Sequence, residues 1–165
     1  MTDSDKLLIY IDDNIFAVDA DAVAAVVETE RFFMLPMLQP RAFSSTSPPH
    51  GERQGEAGFI KGVITRRGDV VVVVDIGELF GAQTVQDEGK YKVIVLKKDA
   101  LCLGIYYGAK GLSFLWREDL KDLEFKPLTG DYIHGIIDPS GKKIRILDWQ
   151  RILEETQQLT SGKRQ

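Results

Sequence analysis

The side chains able to do chemistry are few and scattered along this 165-residue sequence. His50 falls in a Pro- and Ser-rich stretch and His134 inside an apolar, strand-like run. Neither has a second His, Cys or carboxylate at ligand spacing, so no metal site is assigned. The one cysteine, Cys102, excludes an internal disulfide, and its neighbours Leu101, Leu103 and Gly104 mark a buried structural thiol. Glu118, Asp119, Asp122 and Glu124 are dense enough to suggest a glycosidase-type acid pair, but Arg117, Lys121 and Lys126 interleave them as on a solvated face. Gly-rich phosphate loops, nucleophile elbows and paired-cysteine motifs are missing from the sequence. No catalytic residue and no cofactor are assigned, and the chain is not expected to be an enzyme.

Charge narrows the partners. A formal net charge of -4 and a pI near 5.2 provide no broad positive field for nucleic acid. Tyr106, Tyr107, Phe114 and Trp116 could stack bases, but Lys and Arg are not concentrated around them, and they read mainly as core and rim. No apolar run approaches the roughly 20 residues of a membrane span, and Met1 to Asp5 is no signal-peptide start, so a cytoplasmic protein without membrane insertion is expected.

The elements that must position any site are organised by an internal repeat. Phe59-Ile60-Lys61-Gly62-Val63-Ile64 is answered 73 positions later by Tyr132-Ile133-His134-Gly135-Ile136-Ile137. At the same offset Gly68 matches Gly141, Asp75-Ile76 matches Asp148-Trp149, and Leu79-Phe80 matches Ile152-Leu153. Each copy reads as strand, turn, strand, and then an Asp whose carboxylate caps a helical turn. Two similar β units of about 70 residues follow from this repeat. Lys6 to Tyr10 with Ile15 to Val18, and Lys92 to Leu96 with Leu101 to Tyr107, read as further hairpins. Val23, Val26 and Val27 lie at helical spacing, which predicts a helix over Ala20 to Val27. Trp149 to about Gln158 reads as an amphipathic closing helix, and Gln39 to Gly58, rich in Pro, Gly and Ser, as a long surface loop.

The two copies differ at their turns. Arg66-Arg67 stands in the first where Pro139-Ser140 stands in the second. The second copy reaches the same turn geometry without arginines, so the fold does not require them, and a guanidinium there is free to meet a carboxylate in two hydrogen bonds.

The run from Phe59 to Ile76, with Gly62-Val63, Arg67-Gly68 and Asp75-Ile76, resembles the signature of the CheW family: Gly-Val-x-x-x-Arg-Gly, a β-branched strand, then Asp-Leu. More loosely, the resemblance extends over residues 6 to 155. It implies a mainly β fold of two packed five-stranded SH3-like β-barrels, with a few short helices and a C-terminal helix, in one domain over 1–165. The first barrel would span 15–86 and the second 87–150, with strand 6–11 joining the second. It also implies a non-catalytic signalling adaptor that couples the tip of a chemoreceptor to the regulatory domain of a CheA-type histidine kinase. The protein-binding residues are then Arg67 with Arg66, Gly68 and Asp69 at the turn, and Val23 and Val26 in a groove between the barrels. Gly62, Gly135, Asp75 and Asp148 are structural. The family's acidic companion of the motif arginine is replaced by Ala25, leaving Glu28 or Glu30 as substitutes, and its Val-Asp-x-Val stretch survives only as Tyr106-Tyr107-Gly108-Ala109. The alternatives are a module of this fold repurposed for another protein partner and, less favoured, a small-barrel nucleic-acid binder.

Overall fold

Runs of β-branched residues broken by tight turns build a fold made mostly of short strands. The computed structural model describes residues 4–34, 58–84, 89–108, 110–128 and 132–161. All of the expected long loop except Gly58 therefore lies outside the described residues.

Strands β1 (Lys6–Ile11) and β2 (Asn14–Asp19) form the opening hairpin, and one 3-10 turn, Ala20–Ala22, leads to β3 (Val23–Thr29). Next come β4 (Ile60–Arg66), β5 (Asp69–Asp75) and helix α1 (Ile76–Phe80), followed by the hairpin of β6 (Tyr91–Lys98) and β7 (Leu101–Tyr107). The chain then forms β8 (Leu112–Leu115), α2 (Arg117–Leu120), the two-residue β9 (Lys126–Pro127), β10 (Ile133–Ile137) and β11 (Ile144–Leu147). The last helix is α3 (Trp149–Ser161).

The strands curl into two sheets, ordered β3-β6-β7-β5-β4 and β8-β1-β2-β11-β10-β9. The first closes because Phe33, just past β3, exchanges both backbone hydrogen bonds with Val63 of β4, at 2.9 and 2.7 Å. In the second, β9 does the same for β10, pairing Lys126 with Ile136 and Pro127 with Gly135. The sixth strand is thus the return of the chain after β8 and α2, and each unit keeps a five-stranded plan.

The expected split at residues 86 and 87 is corrected. Hairpin β6–β7 belongs with β3, β4 and β5, while β2 joins β1, β8, β10 and β11. The parallel pairings decide this: β5 lies beside β7, with Val73 opposite Gly104, and β11 lies beside β2, with Ile146 opposite Ala17. In the second barrel the N-terminal hairpin therefore stands where β6–β7 stands in the first. Both hairpins turn through an Asp in the left-handed region, Asp12 and Asp99, each at φ 56.

The repeat holds rung by rung. Ile60 faces Val74, Gly62 faces Val73, Val63 faces Val72 and Ile64 faces Val71. In the second copy Ile133 faces Leu147, Gly135 faces Ile146, Ile136 faces Arg145 and Ile137 faces Ile144. Both copies carry a β-bulge just before the glycine. Asp75 caps α1, its Oδ1 accepting from Glu78 N at 3.3 Å, and Asp148 accepts from Arg151 N at 3.2 Å.

Burial shows why the two barrels form one body. The first barrel's interior holds Ile64, Val71, Val73, Val93, Val95 and Tyr106; the second's holds Leu8, Ala17, Leu120, Ile137, Ile144 and Ile146. The largest core lies between them, where Leu7, Ile9, Phe16, Ile94, Leu103 and Ile105 meet the α3 face of Trp149, Ile152 and Leu153. Strands β1, β6 and β7 are thus apolar on both faces, each face serving a different core.

Candidate protein-docking surface

A helix over Ala20 to Val27 does not form; beyond the 3-10 turn the chain is strand β3. The three-residue spacing of Val23 and Val26 has another cause. Residues three apart on a regular strand point to opposite faces, but a bulge interrupts the register between Val23 and Ala25. Val23 then pairs with Leu96 and Val26 with Ile94, both of which turn to the core between the barrels. The extra residue brings both valines to one face, so helical spacing was the trace of a bulge.

Across from them runs β8, the outer strand of the second sheet. Leu112 pairs with Ile9 and Phe114 with Leu7, so these two also share the face toward the joint between the barrels. Leu7, Ala20, Val23, Val26, Leu112, Ser113 and Phe114 line an apolar groove of about 360 Å³. Its rim is open: Val26 is 48% exposed, Phe114 54% and Trp116 55%, and the Phe114 and Trp116 rings stack with centroids 5.6 Å apart. The pattern of the sequence had placed these two aromatics with Tyr106 and Tyr107 as core and rim. The tyrosines are core, at 3% and 5% exposure, and Phe114 and Trp116 are rim.

The turn between β4 and β5 also differs from expectation. Arg67 and Gly68 are its two central residues, with φ of 52° and 84°, the paired positive values of a type I′ turn. Two rungs, Thr65 with Val70 and Arg66 with Asp69, extend this hairpin beyond the repeat. The second copy ends its pairing at Ile137 and Ile144, leaving six residues, 138–143, in the loop. The two turns are therefore not alike. The comparison between the turns thus no longer shows the arginines to be dispensable to the fold; Arg67 sits in a left-handed position that Gly, Asn or Asp fills at lower cost.

Arg67 is not among the residues that line the groove. It does lie toward the same end of the first barrel as Val23, since β3 starts opposite Leu96 and the β6–β7 turn follows at Asp99. Glu28 cannot be its acidic companion. That residue pairs with Lys92 at the other end of the sheet, and its carboxylate lies 3.9 Å from Lys90. Glu30 lies beyond β3 on that same side.

On the other side of the 3-10 turn lies a cleft of about 460 Å³, floored by Ile146, Leu147 and Trp149. Lys97, Lys98 and His134 line it together with Asp21 and the Lys6–Asp19 ion pair. His134 is half exposed, its Nε2 lying 3.6 Å from Asp148 Oδ1. Lys97 and Arg66 favour the Cys102 thiolate, and the end of β6 lies beside the Arg67 turn because Lys97 pairs with Cys102 and β5 runs parallel to β7. Burial, as the larger influence, pushes that thiol above its ordinary pKa. Glu118, Asp119, Asp122 and Glu124 are all exposed, as a solvated face requires. Among the described residues no group of three His, Cys, Asp or Glu stands close enough to hold a metal ion.

Docking geometry of this kind agrees with what the chain is related to. A family model described as the CheW-like domain matches residues 44–157, more than half of the chain. The chain belongs to the CheW-like family. A solved structure, that of the scaffolding protein TtCheW from Thermoanaerobacter tengcongensis, shares the fold at a TM-score of 0.61 and 18% identity, covering 87% of this chain and 88% of that one. No curated protein matches the sequence. CheW-like proteins are non-catalytic scaffolds of chemotaxis signalling, and this chain is not an enzyme but a scaffold of that kind. The family match opens at residue 44 and so leaves out β1, β2 and β3, which the structure supplies. No helix among the described residues is long and apolar enough to cross a membrane.

Proposed function

We propose that this protein couples chemoreceptors to a CheA-type histidine kinase, acting as an adaptor at receptor arrays on the cytoplasmic side of the membrane. The observation that carries the reading is the groove at the joint of the two barrels. Membership of the CheW-like family makes a partner-binding scaffold the starting point, and the groove provides a seat for a helix on it: spaced apolar anchors, Val23 and Val26 on one wall and Leu112 and Phe114 on the other. A receptor tip made of paired helices has the required shape. Arg67, held in an unfavourable backbone region at an exposed turn, is retained for contact with a partner, and Arg66, Gly68 and Asp69 set its position.

Calorimetric titration with the regulatory region of a CheA-type kinase from the same genome tests the reading, wild type beside Arg67→Ala. Binding in the micromolar range or tighter, about -8 kcal/mol or better, supports the adaptor. A folded protein that binds neither kinase nor receptor overturns it in favour of a module serving a different protein.

A further inference from the structure

The cleft behind the 3-10 turn differs from the apolar groove in both walls and floor. No charged side chain lines the groove. The cleft is built where the two barrels meet: Lys97 and Lys98 come from β6 of the first, and Lys6, His134, Ile146 and Leu147 from strands of the second. Trp149, the first residue of α3, completes its floor. At about 460 Å³ it falls within the range of small-ligand sites, roughly 300 to 1,000 Å³.

The floor is recessed: Ile146, Leu147 and Trp149 are 5%, 2% and 7% exposed. Lys6 is 1% exposed and lines the same cleft. Burying an ammonium is costly unless an opposite charge and hydrogen bonds offset it. Asp19 supplies that charge, and Ser4 Oγ accepts from the Lys6 Nζ at 3.3 Å. With Asp19 committed to Lys6, the full charges left on the walls are the exposed Lys97 and Lys98 against Asp21, and among the described residues no ion pair joins them. The half-exposed His134 adds a polar group whose neighbour, Asp148, is engaged in capping α3. The mouth of the cleft is therefore cationic in a chain of net charge -4.

We propose that this cleft binds a small organic anion: a doubly charged head, such as a phosphate monoester, on a compact apolar body. The body rests on Ile146, Leu147 and Trp149. The head meets Lys97 and Lys98 at the mouth, where ammonium groups act on phosphate as point charges. A floor this recessed admits a ring or a short chain, whereas a flat protein face meets only the rim. The site needs no protein partner and so stands apart from the adaptor role. Since its lysines come from one barrel and its floor from the other, the occupant bridges the two and stabilises their joint by binding only the folded state.

Calorimetric titration of the full chain with phenyl phosphate tests the proposal, with phenol and inorganic phosphate as the two halves of that probe, at about 50 and 500 mM salt. Phenyl phosphate should bind with a Kd of about 1 mM or tighter, roughly 10-fold or more below that of either half, and less tightly at the higher salt. Lys97→Gln/Lys98→Gln should weaken it by about 10-fold or more at low salt. Lys142→Gln/Lys143→Gln removes the same charge beside a different cavity and should leave the affinity unchanged. Circular dichroism melts confirm that each variant is folded. In Trp116→Phe protein Trp149 is the sole tryptophan, and its emission should change as the cleft fills. Absence of saturable binding by about 10 mM phenyl phosphate overturns the proposal. Equal losses in the two lysine pairs, or a Trp149 emission that does not respond, also overturn it, since the anion would then be held elsewhere on the surface.

Discussion

Gly62 and Gly135 occupy one and the same position in the two barrels. Each follows a bulge, and each lies beneath the chain segment that closes its barrel. A Cβ on Gly62 would sit 2.6 Å from Phe33 O and 2.9 Å from Phe32 Cβ. One on Gly135 would sit 2.4 Å from the Phe125 ring and 2.7 Å from Lys126 O. The glycine that first exposed the repeat is thus the contact at which each sheet closes on itself.

Substituting Gly62→Ala should therefore destabilise the protein by about 2 kcal/mol or more, because backbone blocks the new methyl and φ is +145°. Gly135→Ala should cost less, since part of what it meets is a movable ring. Urea unfolding of the two variants checks both the size and the order.

Arg67→Asn should raise stability by about 0.5 kcal/mol, since Asn tolerates the left-handed region better than Arg. The same change should weaken partner binding. Thermal melts alongside titration of the kinase region measure the two effects, and a variant that is more stable and binds equally well would deny Arg67 its role.

Val71 and Val73 are 1% and 0% exposed in the first barrel's interior. Shortening either to Ala should cost about 1 to 3 kcal/mol, the transfer term plus a cavity that collapses only in part. Values below about 0.5 kcal/mol at both sites would contradict the core described above.

Burial raises the Cys102 pKa, so the folded protein favours the neutral thiol. This stabilising contribution is complete below the ordinary thiol range and is lost as pH rises through the raised value. Tyr106 and Tyr107, also raised chiefly by burial, lose theirs at still higher pH. Alkylation near pH 8 should be several-fold slower than for an unfolded control, and the alkaline loss of stability through the thiol range should be smaller in Cys102→Ala.

Much of this architecture can be read from the chain, because the decisive signals are local. Asp75 and Asp148 cap what they precede, the β6–β7 hairpin follows from its turn residues, and Trp149, Ile152 and Leu153 mark the buried stripe of α3. What was misread depends on contacts distant in sequence. No local pattern in β2 records that it lies parallel to β11, more than a hundred residues on, and so the division between barrels was drawn in the wrong place. Val23 and Val26 were identified as groove residues but assigned to a helix, because a bulge and a helical turn leave the same three-residue spacing. The exposed stack of Phe114 on Trp116 and the cations at the end of β6 are products of tertiary placement.

The position of the β1–β2 hairpin has a consequence for how the protein is made. As synthesis proceeds, β3 to β7 are complete as a set once Tyr107 has emerged, whereas the first two strands synthesised wait for β8, β10 and β11. Closing the second barrel is therefore a step of high contact order, slower than closing the first. In the interval the apolar outer face of β1 and β2 can rest on the finished β6–β7 face, so the core between the barrels acts as the template on which the later barrel is assembled. Moving the segment 1–19 to follow α3 would turn this interleaved order into two consecutive repeats, and would let each barrel close without waiting for the other.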